Sequence, residues 1–170
     1  MKGLGHAILS GRNLINDEVF GVLLADDLCF NHGNNSVFDQ MVELYHQSRC
    51  SIVAVMEVPE DQVSKYGIIS GTLISDDIYC IDSMVEKPLP KDAPSNLAVI
   101  GRYILTPSIF QILEQTQPGQ SGEIQLTDAI NQLAQDEKVL AYKFKGERFD
   151  CGSMEGFVKA TNFYYQHYYS

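Results

Sequence analysis

The sequence predicts an α/β fold, a mixed sheet flanked by helices, and three observations carry that prediction. Residues 18–25 (EVFGVLLA) and 51–58 (SIVAVMEV) are short apolar runs rich in strand formers, as buried strands are. Between them, residues 36–49 repeat apolar positions at helical spacing, so strand, helix and strand succeed one another with the lengths a parallel crossover needs. Beyond Pro59 three more strand-like runs, 67–74, 78–87 and 97–105, are separated by Ser75-Asp76-Asp77 and the turn-rich 88–94, which adds antiparallel strands to the first sheet.

Each element follows from its residues. Gly3-Leu4-Gly5-His6 leads directly into a helical run, 6–14. The strand 18–25 ends abruptly in Asp26-Asp27. Ser36 suits the N-cap of the next helix, with Asp39 three residues on and Val37, Met41, Leu44 and Tyr45 along one face. Residues 107–115 and 126–137 read as helices, the second presenting Ile130, Leu133 and Ala134 together; 139–144 and 148–150 read as closing strands, and 154–168 as a final helix with an aromatic-rich tail. No strand precedes the first helical run and no G-x-G-x-x-G or P-loop occurs, so the sheet is expected to lack the first strand and Gly-rich phosphate loop of doubly wound folds. Without repeats or linkers, residues 1–170 are expected to form a single domain.

Composition narrows the function classes. The chain has 170 residues, 45% of them hydrophobic, enough for one buried core. A formal net charge of −10 argues against general attraction to nucleic acid or anionic membrane, so any phosphate it binds must be met locally by a few cations, backbone amides or a metal. No stretch approaches the roughly 18 apolar residues of a spanning helix, and no signal peptide is evident, so a cytoplasmic protein is expected. Cys29, Cys50, Cys80 and Cys151 form no CxxC pair, as expected of reduced thiols, and Cys29 with His32 makes too small a set for zinc. Asn34-Asn35-Ser36 fits a glycosylation pattern that has no meaning without export.

Several residues have the character of a phosphate or metal site, each with a plainer alternative. Asp26 and Asp27 sit at the C-terminal end of an apolar strand, where open α/β sheets bind ligands and where a carboxylate can anchor Mg²⁺; they could equally cap a turn. Asp150, in Phe149-Asp150-Cys151-Gly152, is a second carboxylate at a strand end beside a glycine. In Glu86-Lys87-Pro88 the Glu could accept sugar hydroxyls and the Lys meet a phosphate, although strand neighbours point to opposite sides, so both serve only if the strand end is irregular; a solvated terminus is the alternative. Pro88 is expected to hold its predecessors extended. Gly67 would let backbone approach a ligand or simply make a turn, and His6 stands near a helix N-terminus, where amides favour anions, as a nucleophile or base or as a packing or capping residue. Phe163-Tyr164-Tyr165 with Tyr168-Tyr169 could stack nucleic-acid bases, but with so few cations nearby they read as a packing or oligomer surface.

The order and wording of these motifs resemble the bacterial UTP–glucose-1-phosphate uridylyltransferases over nearly the whole chain. Gly3-Leu4-Gly5-His6-Ala7 is similar to that family's uridine-contacting segment, and Leu24-Ala25-Asp26 to its metal-binding strand end. Tyr66-Gly67, Val85-Glu86-Lys87-Pro88 and the run from Ser95 to Tyr103 resemble its sugar-phosphate pocket, and Gly122-Glu123-Ile124-Gln125-Leu126-Thr127-Asp128-Ala129-Ile130 resembles a hallmark segment that shapes the pocket wall or the scaffold. The resemblance implies a Rossmann-like nucleotidyltransferase sheet and formation of UDP-glucose and pyrophosphate from UTP and glucose 1-phosphate with Mg²⁺. It implies that Gly3, Gly5 and His6 meet the uridine, Gly67 and Val99 offer backbone to the sugar, Glu86 binds glucose hydroxyls, Lys87 binds the sugar phosphate, and Asp26 and Asp150 hold the metal. It implies homo-oligomers, while the acidic charge sets nucleic acid and membrane aside as partners. Against the family pattern roughly the first third is absent, Met1 falling where the family has mid-chain sequence, so the chain alone is expected to be inactive or impaired. A thymidylyl- or adenylyltransferase of the same fold, or a non-catalytic sugar-nucleotide binder, is the alternative.

Overall fold

The computed structural model describes residues 2–33, 35–119 and 122–169. Asn34, of the glycosylation-like triplet, and Met1 lie outside them. The strands are β1 (Phe20–Leu23), β2 (Asp27–Phe30), β3 (Ser51–Glu57), β4 (Gly67–Ser75), β5 (Ile78–Glu86), β6 (Leu97–Leu105), β7 (Val139–Lys143) and β8 (Glu147–Asp150). The helices are α1 (Leu4–Ser10), α2 (Arg12–Ile15), α3 (Val37–Ser48), α4 (Ser108–Gln115), α5 (Leu126–Asp136) and α6 (Met154–Tyr169), with 3₁₀ turns at Glu60–Lys65 and Pro90–Asp92.

Six strands form one mixed sheet in the order β1-β6-β3-β7-β5-β4, in which β3 and β7 are the parallel pair and the other neighbours are antiparallel. The crossover from β1 through α3 to β3 does join parallel strands, but they are not neighbours as the sequence suggested, because β6 lies between them and is antiparallel to both. The residues explain this. Leu97–Leu105 is almost continuously buried, and such a run suits a central strand covered on both faces.

Alternation along β3 divides the core. Val53 and Val55 face α1, α4 and α5 with Ile8, Phe110, Leu113, Ile130 and Leu133, whereas Ile52 and Ala54 face α3 with Val37, Met41 and Leu44. At the start of α3 the expected cap is present in full: the Ser36 hydroxyl accepts from the Asp39 amide while the Asp39 carboxylate accepts from the Ser36 amide. The helical run expected at 6–14 is broken at Gly11 into α1 and α2.

A second, two-stranded sheet stands apart from the first. In it β2 pairs antiparallel with β8, Asp27 opposite Asp150. The sequence did not announce β2, since Asp27–Phe30 is a four-residue strand opening on an acid, with a partner more than a hundred residues away. Against this pair lies α6, through Phe163 and His167 on Phe30 and through Phe163 on Phe149. Among the described residues no helix is long and apolar enough to cross a membrane.

Candidate functional site

Where the two sheets approach each other a cleft of about 700 Å³ opens. Asp26, Asp150, Gly3, His6, Gly67, Glu86, Lys87 and Val99 all line it. Gly5 does not: it is buried in α1, its amide bonded to the Ile124 carbonyl at 3.0 Å, and a Cβ there would meet Ile124 and Leu113 at 2.8–2.9 Å. The expected uridine contact of Gly5 is therefore corrected to a packing role, in which a bare Cα lets α1 close on the segment before α5.

At one end the β2–β8 pairing brings Asp26 and Asp150 together. The Cys151 amide donates to the Asp26 carbonyl at 2.7 Å, and the Gly152 amide donates to Asp150 Oδ1 at 3.1 Å. A Cβ on Gly152 would stand 3.1 Å from Asp150 Oδ1 and 3.2 Å from Asp26 Oδ2, so both carboxylates gather at this glycine. Two exposed carboxylates beside an open cleft suit Mg²⁺, a hard cation that takes oxygen from one or two side chains and completes its shell with water and substrate phosphate. Among the described residues no cluster of three or more His, Cys, Asp or Glu exists to cage a metal without such a substrate.

Asp27 does something different from its neighbour. It is buried, with Oδ2 accepting from the Gly101 amide at 2.6 Å and Oδ1 accepting from Arg148 Nε. Arg102 in turn donates to the carbonyls of Leu24, Gly101 and Asp27. Gly101 must be a glycine here, since a Cβ would meet Leu24 Cβ at 2.7 Å and Asp27 Oδ2 at 2.8 Å. The same surroundings act on Cys29: burial is the largest influence, opposed by Arg102 and assisted by Asp27, and the thiol is pushed up to about 11.

At the other end, Gly67 pairs in register with Glu86, and Lys87 follows with φ +47°, its amide bonded to the Tyr66 carbonyl at 2.9 Å. Pro88 does not hold Lys87 extended as expected; the left-handed turn at Lys87 overrides it. This turn supplies the irregularity that lets adjacent residues of one strand line one cleft, and a non-glycine residue so placed carries strain of the kind found at binding sites. The Thr127 hydroxyl donates to Glu86 Oε2 at 2.6 Å, while Lys87 Nζ lies 3.6 Å from Glu86 Oε1. Burial, then the charge of Glu86, raises Asp128 from its ordinary value; burial, then Asp27 and Glu86, raises the Tyr103 phenol.

Gly3 joins the cleft from α1. It adopts φ +89°, and a Cβ would meet the Ile124 carbonyl at 2.7 Å. The hallmark segment is thus both wall and scaffold: Glu123, Gln125, Leu126 and Thr127 line the cleft, while Ile124 bonds the backbone of Lys2 and Gly5. Arg148 was not expected from the sequence, Thr127 was expected only as part of the hallmark segment, and Asp27, expected as a metal anchor or a turn cap, is instead a buried ion. The spacing of Arg148 and Asp150, two apart on a strand and hence on one face, was the available signal.

A family model described as nucleotidyl transferase matches residues 1–167. A UTP–glucose-1-phosphate uridylyltransferase of Pseudomonas aeruginosa is 64% identical over 169 residues, covering 99% of this chain and 61% of the relative. A second, of Streptococcus pyogenes serotype M3, is 44% identical over 163 residues, covering 94% of this chain and 54% of the relative. Among solved structures, a UDP-glucose pyrophosphorylase complexed with UDP-glucose is similar with TM-score 0.95 and 57% identity, over 98% of this chain and 63% of that one. UTP-bound UGPase from Acinetobacter baumannii follows with TM-score 0.88 and 37% identity, over 99% of this chain and 58% of that one. The chain spans less than two thirds of the length of each of these relatives.

Proposed function

The chain belongs to the nucleotidyl transferase family, and on that premise we propose that it serves the formation of UDP-glucose and pyrophosphate from UTP and glucose 1-phosphate. The observation that carries this reading is convergence: Gly3, Asp26, Glu86-Lys87 and Asp150, from four separate segments, line one cleft. The relatives' names, with UTP and UDP-glucose in them, support the same substrates.

The chemistry asks for little beyond positioning. The phosphate of glucose 1-phosphate is largely dianionic near neutrality, its second pKa being about 6. It attacks the α-phosphorus of UTP, a phosphorus–oxygen bond forms, and the bond to the departing pyrophosphate breaks, with no protein base needed. Lys87 holds the sugar phosphate, and Glu86, steadied by Thr127, accepts from glucose hydroxyls. Gly67 and Val99 present backbone to the sugar, and Gly3 with His6 meets the nucleoside. Asp26 and Asp150 hold Mg²⁺, which when bound neutralises phosphate charge and steadies the leaving group. Self-association accompanies this reading, supported by the exposed Phe157, Tyr165 and Tyr169 of α6.

Two measurements test it. Isothermal titration of UDP-glucose into the protein with Mg²⁺ is expected to show saturable binding, and pyrophosphate release with glucose 1-phosphate is expected to be faster from UTP than from dTTP or ATP. Preference for dTTP or ATP overturns the nucleotide assignment. Binding of UDP-glucose without any release replaces the enzyme by a sugar-nucleotide binder.

A further inference from the structure

We propose that Arg148 and Tyr66 form a bridge that fixes the metal-holding carboxylates relative to the sugar-phosphate lysine; this deepens, and rests on, the uridylyltransferase reading. Arg148 lies two residues before Asp150 on β8, on the same face of the strand. Its side chain is only 11% exposed, and its guanidinium is used in two directions. Nε donates to Asp27, the buried neighbour of Asp26, while Nη1 donates to the Tyr66 hydroxyl at 2.9 Å, with Cζ 5.3 Å from the Tyr66 ring centroid.

From Tyr66 the connection continues to the other end of the cleft. The Tyr66 carbonyl accepts the Lys87 amide at 2.9 Å, and the next residue, Gly67, is the register partner of Glu86. A continuous series therefore runs from Asp26 and Asp150 through Asp27, Arg148 and Tyr66 to Lys87. Its links join positions 121 and 82 residues apart in the chain, so no local turn fixes this spacing. If Arg148 served only to neutralise buried Asp27, a lysine would do; the second arm of the guanidinium fork and its placement over the ring serve the joint between the two ends. Arg148 and Tyr66 are positioning residues, acting through Asp150 and Lys87.

UDP-glucose carries a sugar and a diphosphate in one molecule and so reports the joint. The experiment is calorimetric titration of UDP-glucose, in Mg²⁺ and in EDTA, into the wild type, Tyr66→Phe and Arg148→Lys. In the wild type Mg²⁺ is expected to tighten binding. In Tyr66→Phe that tightening is expected to fall by about fivefold or more, while the variant stays folded and still binds UDP-glucose in EDTA. Arg148→Lys, which keeps the charge beside Asp27 but loses the fork, is expected to match it, and the double variant to add nothing further. An undiminished Mg²⁺ effect in a folded Tyr66→Phe that binds UDP-glucose overturns the bridge alone. A wild type that ignores UDP-glucose overturns the substrate reading and the bridge with it.

Discussion

The six-stranded sheet and the two-stranded β2–β8 pair are held together by different forces. The large sheet is sealed by side chains such as Ile52, Val53, Phe110 and Ile130, none of them exposed, and its stability comes from apolar area and close packing. The small pair has four residues per strand and depends on the buried Asp27–Arg148 ion pair, the Arg102 contacts to carbonyls, and a cover of aromatic rings from α6. Asp150 ends the small pair and Asp26 immediately precedes it, whereas Glu86 ends a strand of the large sheet with Lys87 just beyond. Polar geometry therefore sets the site, and apolar packing sets the fold.

Substitutions in the two regions are accordingly expected to behave differently. Phe110→Ala, which removes a fully buried ring stacked on Phe20 at 5.1 Å, is expected to cost about 4 kcal/mol in urea unfolding. Asp27→Ala leaves Arg148 as a buried unpaired cation and is expected to cost about 3 kcal/mol in the same measurement. The two differ in their rescue. Adding Arg148→Met to Asp27→Ala is expected to recover stability to within about 1 kcal/mol of wild type while UDP-glucose binding stays weakened. Full recovery of both would mean the polar network has no part in the site.

Smaller effects sharpen the contrast. Thr127→Val removes a hydrogen bond to the Glu86 carboxylate and is expected to weaken UDP-glucose binding by about 1.5 kcal/mol, roughly tenfold, whereas Thr127→Ser keeps it. Equal weakening by Ser would point to lost packing of the methyl group instead. The smallest effect belongs to Cys29. Its pKa rises from 9.0 to about 11 on folding, so between those values the native state holds the proton more firmly than the unfolded chain. Wild-type stability is accordingly expected to fall as pH rises through that window, and Cys29→Ala to lack this fall; urea midpoints across pH 9–11 check it.

Much of the large sheet was legible because its signal is local. The run 51–58 declares a strand by its own residues, and Ser36 with Asp39 declares a helix start. Strand order was not legible, since the insertion of β6 between β1 and β3 depends on which long apolar run best tolerates two neighbours. In the site, Asp26, Lys87 and Asp150 could be named by their positions at strand ends, and Gly5 was misassigned because a packing glycine and a ligand glycine look the same in sequence. Asp27 escaped notice as a buried ion because its partner is 121 residues away, and the backbone turn at Lys87 runs against what Pro88 alone favours.

In the proposed reading Asp26 and Asp150 hold a divalent cation in the cleft where Glu86 and Lys87 hold a sugar phosphate. A crystal structure of the protein with UDP-glucose and Mn²⁺ tests it directly, the metal being located by anomalous scattering. A metal peak is expected between the Asp26 and Asp150 carboxylates, with glucose hydroxyls on Glu86 and the diphosphate reaching from Lys87 to the metal. A metal bound elsewhere, or a sugar nucleotide seated away from Glu86 and Lys87, would contradict it.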